Sequence, residues 1–347
     1  MFKPHAVPAH RMPDLLRAMP KAELHIHIEG SLEADMILTM ARRNGVDLPY
    51  ANAQALRAAY AFTNLQSFLD LYYAGASVLR TEQDFFDMAW AYLQRAAADQ
   101  VVRAEIFFDP QTHTARGVPM GAVMQGLGRA CEQARVQLGV SAELILCFLR
   151  HLSEQEAIDT LQAALPWRDH FIGVGLDSSE LGHPPEGFAR VFAQSRELGL
   201  HVVAHAGEEG PPAYIRSALA HLQPERIDHG VQAVQDPALL QELAGRGIPL
   251  TVCPLSNLKL QVFPDLTRLR PLIDAGLNVS LHSDDPAYFG GYINDNYLQT
   301  FAALQLDVRH AYRMAAHSIE ASFAPEADKQ AWMHRLKAVI TGFAETD

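Results

Sequence analysis

Residues 23–29 read Glu23-Leu24-His25-Ile26-His27-Ile28-Glu29, an apolar stretch broken by two histidines at alternate positions. It reads as a β-strand, and alternate strand residues point to the same face. Both imidazoles can therefore reach one point, and neutral imidazole is a common metal ligand. An isolated His-x-His is by default two separately satisfied histidines. That default weakens here because three further clusters of metal-type side chains recur downstream, each at the end of a predicted strand.

Working outward from this strand, β-like segments lie at 22–28, 101–108, 142–149, 171–176, 201–206, 225–229, 248–253 and 278–283. Helical patterns at 121–138, 153–164, 186–198, 212–222, 237–245 and 268–275 separate them, several followed closely by Gly. Alternating βα units predict an α/β fold of the TIM type, a (β/α)8 barrel. An open doubly wound sheet is the alternative and requires a reversal of strand order. The chain reads as a single domain over 1–347, with a helical insertion at about 31–98 placed over the C-terminal mouth of the barrel. Amphipathic patterns at 65–79 and 82–98 fall inside it. Tyr60, Phe62, Phe68, Tyr72 and Tyr73 either line a lid there or, for most of them, pack between helices. Residues 307–343 read as closing helices.

A formal charge of −12 argues against a nucleic-acid phosphate surface and against an anionic membrane. It leaves room for a small neutral ligand such as a free base. Cys131, Cys147 and Cys253 show no CxxC spacing and read as reduced core residues. No N-terminal apolar core of a signal peptide and no apolar run of membrane-spanning length is evident, so the expected location is cytoplasmic. The oligomeric state is not legible.

In TIM barrels functional side chains sit at the C-terminal ends of strands, and the polar clusters fall there. Strand one ends with His25 and His27; strand five with His205-Ala206-Gly207-Glu208-Glu209; strand six with Asp228-His229-Gly230; strand eight with His282-Ser283-Asp284-Asp285-Pro286. Three histidines and a carboxylate from strands one, five and eight compose an N/O site of a kind that suits zinc, with a position open for water. Glu208 is placed to protonate a ring nitrogen or a leaving amine. His229 could take a proton from water or hold hydroxide in line. Asp284 and Asp285 diverge on an extended backbone, so one can ligate metal while the other faces substrate. Singly, each motif is ordinary: Asp-Asp-Pro starts a turn or helix, and His-Ala-Gly-Glu caps one.

Together and in this order, His25-Ile26-His27, His205-Ala206-Gly207-Glu208, His229-Gly230 and Ser283-Asp284-Asp285-Pro286 resemble the adenosine/adenine deaminase family of the amidohydrolase superfamily, over roughly residues 20–320. The resemblance implies a barrel with one zinc ion per chain that hydrolytically removes the 6-amino group of a purine. It implies His25, His27, His205 and Asp284 as zinc ligands and Glu208 as proton donor toward N1. It further implies that His229 orients or deprotonates the water, and that Asp285 hydrogen-bonds the N7 edge. Phe108-Asp109-Pro110-Gln111-Thr112-His113-Thr114, Leu176 to Pro185 and Cys253-Pro254-Leu255-Ser256-Asn257 are similar to the adenine deaminase branch, whose substrate is the free base and whose backbone near Ser178 meets the N3 edge. The implied reaction is adenine plus water to hypoxanthine plus ammonia, a purine-salvage step; N6-substituted adenines and adenosine are the alternatives. One residue departs from that branch, which commonly carries Asn where this chain has His282. By alternation His282 lies on the inward face, either as a partner of the ligands or as a barrel-core histidine.

Two other classes remain. A cyclic-amide hydrolase of the same superfamily often uses two metals bridged by a modified lysine, and the predicted strands four and five contain no Lys. A non-catalytic metal protein requires neither an acid at Glu208 nor a base at His229. Base-flipping zinc deaminases use an HxE…PCxxC signature that is absent. His113, His151, His183, His201 and His317 read as structural or surface residues, with His113 and His183 at loop ends that could border a pocket.

Overall fold

The computed structural model describes residues 2 and 4–345. The eight strands are β1 (Lys21–His27), β2 (Val101–Phe108), β3 (Ser141–Leu149), β4 (Phe171–Asp177), β5 (His201–Ala206), β6 (Arg226–His229), β7 (Pro249–Val252) and β8 (Asn278–Leu281). They are ordered β1 to β8 without reversal, which excludes the doubly wound alternative. The ring closes where Ile26 and Asp284 form a parallel bridge. There the Asp284 N–H donates to His25 O at 3.1 Å and the His27 N–H donates to Asp284 O at 3.0 Å.

Away from that bridge, β1 amides at the seam need other acceptors, because buried N–H groups are rarely left unpaired. Ser318 Oγ accepts from Ala22 N–H at 2.9 Å, and His282 Nδ1 accepts from Leu24 N–H at 3.1 Å. The His282 proton is thereby left on Nε2, which meets Ser280 Oγ at 2.8 Å. Burial holds this imidazole well below its ordinary pKa, so it serves as a neutral acceptor. His282 is thus a barrel-core histidine that stitches β8 to β1.

Inside the barrel the pleat sets levels. Glu105, Phe107 and Asp109 alternate along β2 and just past its end. At the lower level Glu105 accepts from Arg103 Nε at 3.0 Å and pairs with Arg226 at 2.5 Å. Above it Phe107, Ile145, Cys147 and Val203 form an apolar plug. Gly175 of β4 passes this plug because a Cβ there would lie 2.7 Å from Cys147 Sγ. The polar mouth lies above. Outside the strands, a continuous apolar layer joins the sheet to the helices.

The segment after β1 contains helices at Ala34–Asn44, Ala53–Ala58, Leu65–Ala76 and Glu82–Ala98. The last packs against Met120–Gln137 in the outer ring, whereas Leu65–Ala76 reaches the mouth. Each of these two is started by a capping box, at Asn64/Ser67 and Thr81/Asp84. The tail forms Val308–Glu320 and Glu326–Glu345. Among the described residues, no helix is long and apolar enough to cross a membrane.

Candidate active site

Three strand ends share one device. Asp109-Pro110, Cys253-Pro254 and Asp285-Pro286 each place proline at the first position of a short helix. Proline excludes the helical region for the residue before it. All three preceding residues adopt nearly the same backbone, with φ between −109° and −117° and ψ between 74° and 83°. Three other mouth residues, Ser178, His229 and Asp284, take left-handed φ values of 76°, 62° and 63°. For side-chain-bearing residues this costs on the order of 1 kcal/mol each. At Asp284 both backbone groups are committed to β1, which holds the strained conformation in place.

One ligand-type atom from each of His25, His27, His205 and Asp284 lies within 4.8 Å of the others. His25 Nδ1 sits 3.1 Å from Thr251 O and 3.0 Å from Thr251 Oγ1. Donation to that carbonyl leaves a lone pair on Nε2, which is buried, has no hydrogen-bond partner and lies 3.2 Å from Asp284 Oδ1. Behind His27 and His205 stand Asp177 and Asp228, each 3.5 Å from a ring Nδ1. His27 Nε2 and His205 Nε2 approach to 3.1 Å. Two imidazole nitrogens facing each other so closely need a proton or a cation between or beside them. Phe107 packs under His25, His27 and His205 with ring centroids 5.1–5.6 Å away. The orphaned Nε2 and the three-nitrogen, one-oxygen donor set fit a divalent cation. A second, overlapping group joins His25 and Asp284 to His229 and Cys253. Burial, reinforced by Asp284, pushes the Cys253 thiol well up, so it stays protonated and is the poorer donor.

Glu208, His229 and Asp285 surround this cluster. Glu208 Oε1 lies 3.6 Å from His229 Nε2, which is 3.7 Å from Asp284 Oδ2. Burial, then the charges of Asp284 and Glu180, raise the Glu208 carboxyl well above the usual range. Burial and Asp284 do the same to Asp285. Burial lowers His229 well below its ordinary value. Asp284 behaves oppositely: burial opposes its charge, but His25, His229 and His27 outweigh burial and hold it well down. The site therefore sets two carboxylates held ionised by imidazoles, Asp284 and Asp228, beside carboxyls that burial biases toward the protonated form: Glu208, Asp285, Asp109 and Asp177.

Sequence reasoning missed the group that fixes Glu208. The buried Glu180 carboxylate accepts four successive backbone N–H bonds, from Gly207, Glu208, Glu209 and Gly210, at 2.6–3.0 Å. Arg150 adds a bond from Nη1 to His205 O at 2.8 Å. Thr251 behind His25 and Asp228 behind His205 were also unassigned, as were Asp109 and Asp177. For Asp109 a signal existed, the same Asp-Pro pairing seen at Asp285.

A narrow cavity lies above the cluster. His27, Asp109, Asp177, Ser178, Glu208 and Asp285 are on its walls, and Leu65, Phe68, Leu69, Tyr72 and Tyr73 come from Leu65–Ala76. Three of the five aromatics considered for a lid thus face the cavity. Tyr60 packs behind on Tyr288, and Phe62 on Phe289. Glu209 ties this helix to the β5 loop by accepting from Leu65 N–H at 2.9 Å. His113 is buried on Glu29 at 2.7 Å, and His183 bonds Ser179 O; neither lines the cavity.

Residues 20–339 match the adenosine deaminase family. The chain belongs to that family. Among family members, an adenine deaminase of Albidiferax ferrireducens is 63% identical over 97% of this chain and 98% of its own length. The crystal structure of an adenine deaminase from Arthrobacter aurescens superposes with a TM-score of 0.91 at 47% identity, covering 92% of this chain and 99% of that one. An amidohydrolase of Burkholderia ambifaria with bound zinc gives a TM-score of 0.88 at 25% identity, covering 99% and 98%.

Proposed function

We propose that this chain hydrolyses adenine to hypoxanthine and ammonia at a single zinc site. The observation that carries the reading is the convergence of His25, His27, His205 and Asp284 beside a carboxyl, Glu208, that burial and its neighbours keep protonated. Relatives that are adenine deaminases across almost the whole chain support it. His25, His27, His205 and Asp284 would hold zinc, which supplies a nucleophile at neutral pH by lowering the pKa of water to about 7.

The protein's own residues do the rest. Glu208 donates its proton to N1, which makes C6 electrophilic as water adds there. His229, neutral through burial, accepts a proton from the attacking water and returns it to the amino nitrogen. The C6–N6 bond then breaks, ammonia leaves with the bonding pair, the hydroxyl proton returns to the Glu208 carboxylate, and the oxygen remains on C6 as the carbonyl of hypoxanthine. Asp285, biased toward its protonated form, donates to N7. The backbone near Ser178 meets the N3 edge. The Phe68, Leu65 and Leu69 side chains exclude bulk water.

The partner is then a small purine base, with no nucleic acid or membrane. We assign the enzyme to the cytoplasm, in keeping with three buried free cysteines. Ammonia release from adenine by the zinc-loaded protein, with about one zinc per chain and loss of turnover in a chelator, is the expected result. No release from adenine, or faster release from adenosine, would overturn it.

A further inference from the structure

We propose that Asp109 selects the free base by accepting a hydrogen bond from N9–H of the purine, in the place where a nucleoside carries its sugar. This deepens the adenine reading above and rests on it. The perimeter of adenine runs N1, C6, N7, N9, N3. Around the mouth, Glu208 follows β5, His229 ends β6, Asp285 follows β8, Asp109 follows β2 and Ser178 follows β4. With N1 at Glu208, N7 at Asp285 and N3 at Ser178, the remaining nitrogen falls to β2. A ring whose N7 is held as an acceptor carries its proton on N9, so N9 needs an acceptor opposite.

Asp109 meets that need. It lines the cavity and is only 2% exposed; the Asp177 carboxyl stands beside it, and no N–H donor reaches its Oδ1, which keeps a lone pair for a ring N–H. Its position is fixed from behind. Its backbone N–H donates to Glu29 Oε1 at 3.2 Å, and Tyr72 Oη donates to Asp109 Oδ2 at 3.0 Å and lies 3.4 Å from Glu29 Oε2. A substituent on N9 would run into Asp109 itself, which is backed by Glu29 and Tyr72, 1% and 3% exposed. A 9-substituted purine therefore both loses the bond and meets filled volume. A site built to hydrogen-bond a substrate N–H rejects an analogue without it by on the order of 10⁴-fold.

The test compares kcat/KM for adenine and 9-methyladenine in the zinc-loaded wild type, Asp109→Ala and Asp109→Asn. The expected wild-type preference for adenine is about 10⁴-fold. In Asp109→Ala it shrinks to about tenfold or less, through a higher KM for adenine and an absolute gain for 9-methyladenine. Asp109→Asn, which keeps an acceptor oxygen and tests the idea if the Ala variant does not fold, retains preference for adenine. Wild-type turnover of 9-methyladenine within tenfold of adenine would overturn the proposal, as would proportional loss of both substrates in Asp109→Ala with zinc content unchanged. A wild type inert toward adenine would instead sink the underlying reaction.

Discussion

Two levels of one barrel bury charge, and they treat it in opposite ways. At the lower level Glu105 is fully buried, yet the guanidiniums of Arg226 and Arg103 outweigh burial and hold its carboxyl below the usual range. The Arg226 guanidinium also lies 4.1 Å over the Phe323 ring. At the mouth, Glu208 and Asp285 face other carboxylates and are pushed up. Strand β2 serves both levels, with Glu105 below the Phe107 plug and Asp109 above it. The difference lies in what the fold places opposite each acid. A matched pair secures the scaffold, whereas an unmatched acid retains a proton that it can give away.

Glu208→Gln should break the mouth with the largest effect, lowering kcat by about 10²–10⁴-fold. Removing a crowded carboxylate should leave the unfolding free energy unchanged or slightly higher. Steady-state kinetics and urea denaturation check both halves, and a destabilised variant with normal kcat would reverse the comparison. At the lower level, Glu105→Gln should leave two buried guanidiniums short of charge and destabilise by about 3–5 kcal/mol. The kcat of its folded fraction should stay at the wild-type value.

Glu180→Gln sharpens the contrast further, since Glu180 neither reacts nor pairs with a cation across the plug. A neutral amide is a weaker acceptor for four N–H groups, so Glu208 should shift. A displacement of about 1 Å can cost roughly 10²-fold, and the expected drop is in kcat with bound-metal content intact. A double variant that loses no more than Glu208→Gln alone would show that the nest acts through Glu208.

The smallest effect tests the lower level. Burial lowers Lys21 to a pKa of about 7, even though its Nζ donates to Asp99 O and Asn294 Oδ1. Above pH 7 the unfolded chain keeps this proton and the folded chain releases it, so stability rises with pH until about pH 10. Below pH 7 both states hold the proton and the contribution is flat. Relative to Lys21→Met, wild type should gain about 1 kcal/mol between pH 7 and 8. A flat difference across that unit would show that the lower level tolerates a charged Lys21.

Some of this was written in the chain. The alternation in His25-Ile26-His27 places two imidazoles on one side of any strand, because the two-residue period is local. Asp284-Asp285-Pro286 likewise announced a strand end, since proline constrains its neighbour wherever it occurs. Other features depend on partners far along the chain. Asp228 stands behind His205 because β5 and β6 pair in a register that sets those two residues side by side. Glu180 finds its amides 27 to 30 residues later, and His282 finds Leu24 only when the ring closes. Local sterics and periodicity determined the elements and where they end. Which acids meet a cation and which meet one another was decided only by the closed barrel, because through-space electrostatics depends on separation and burial rather than on order in the sequence.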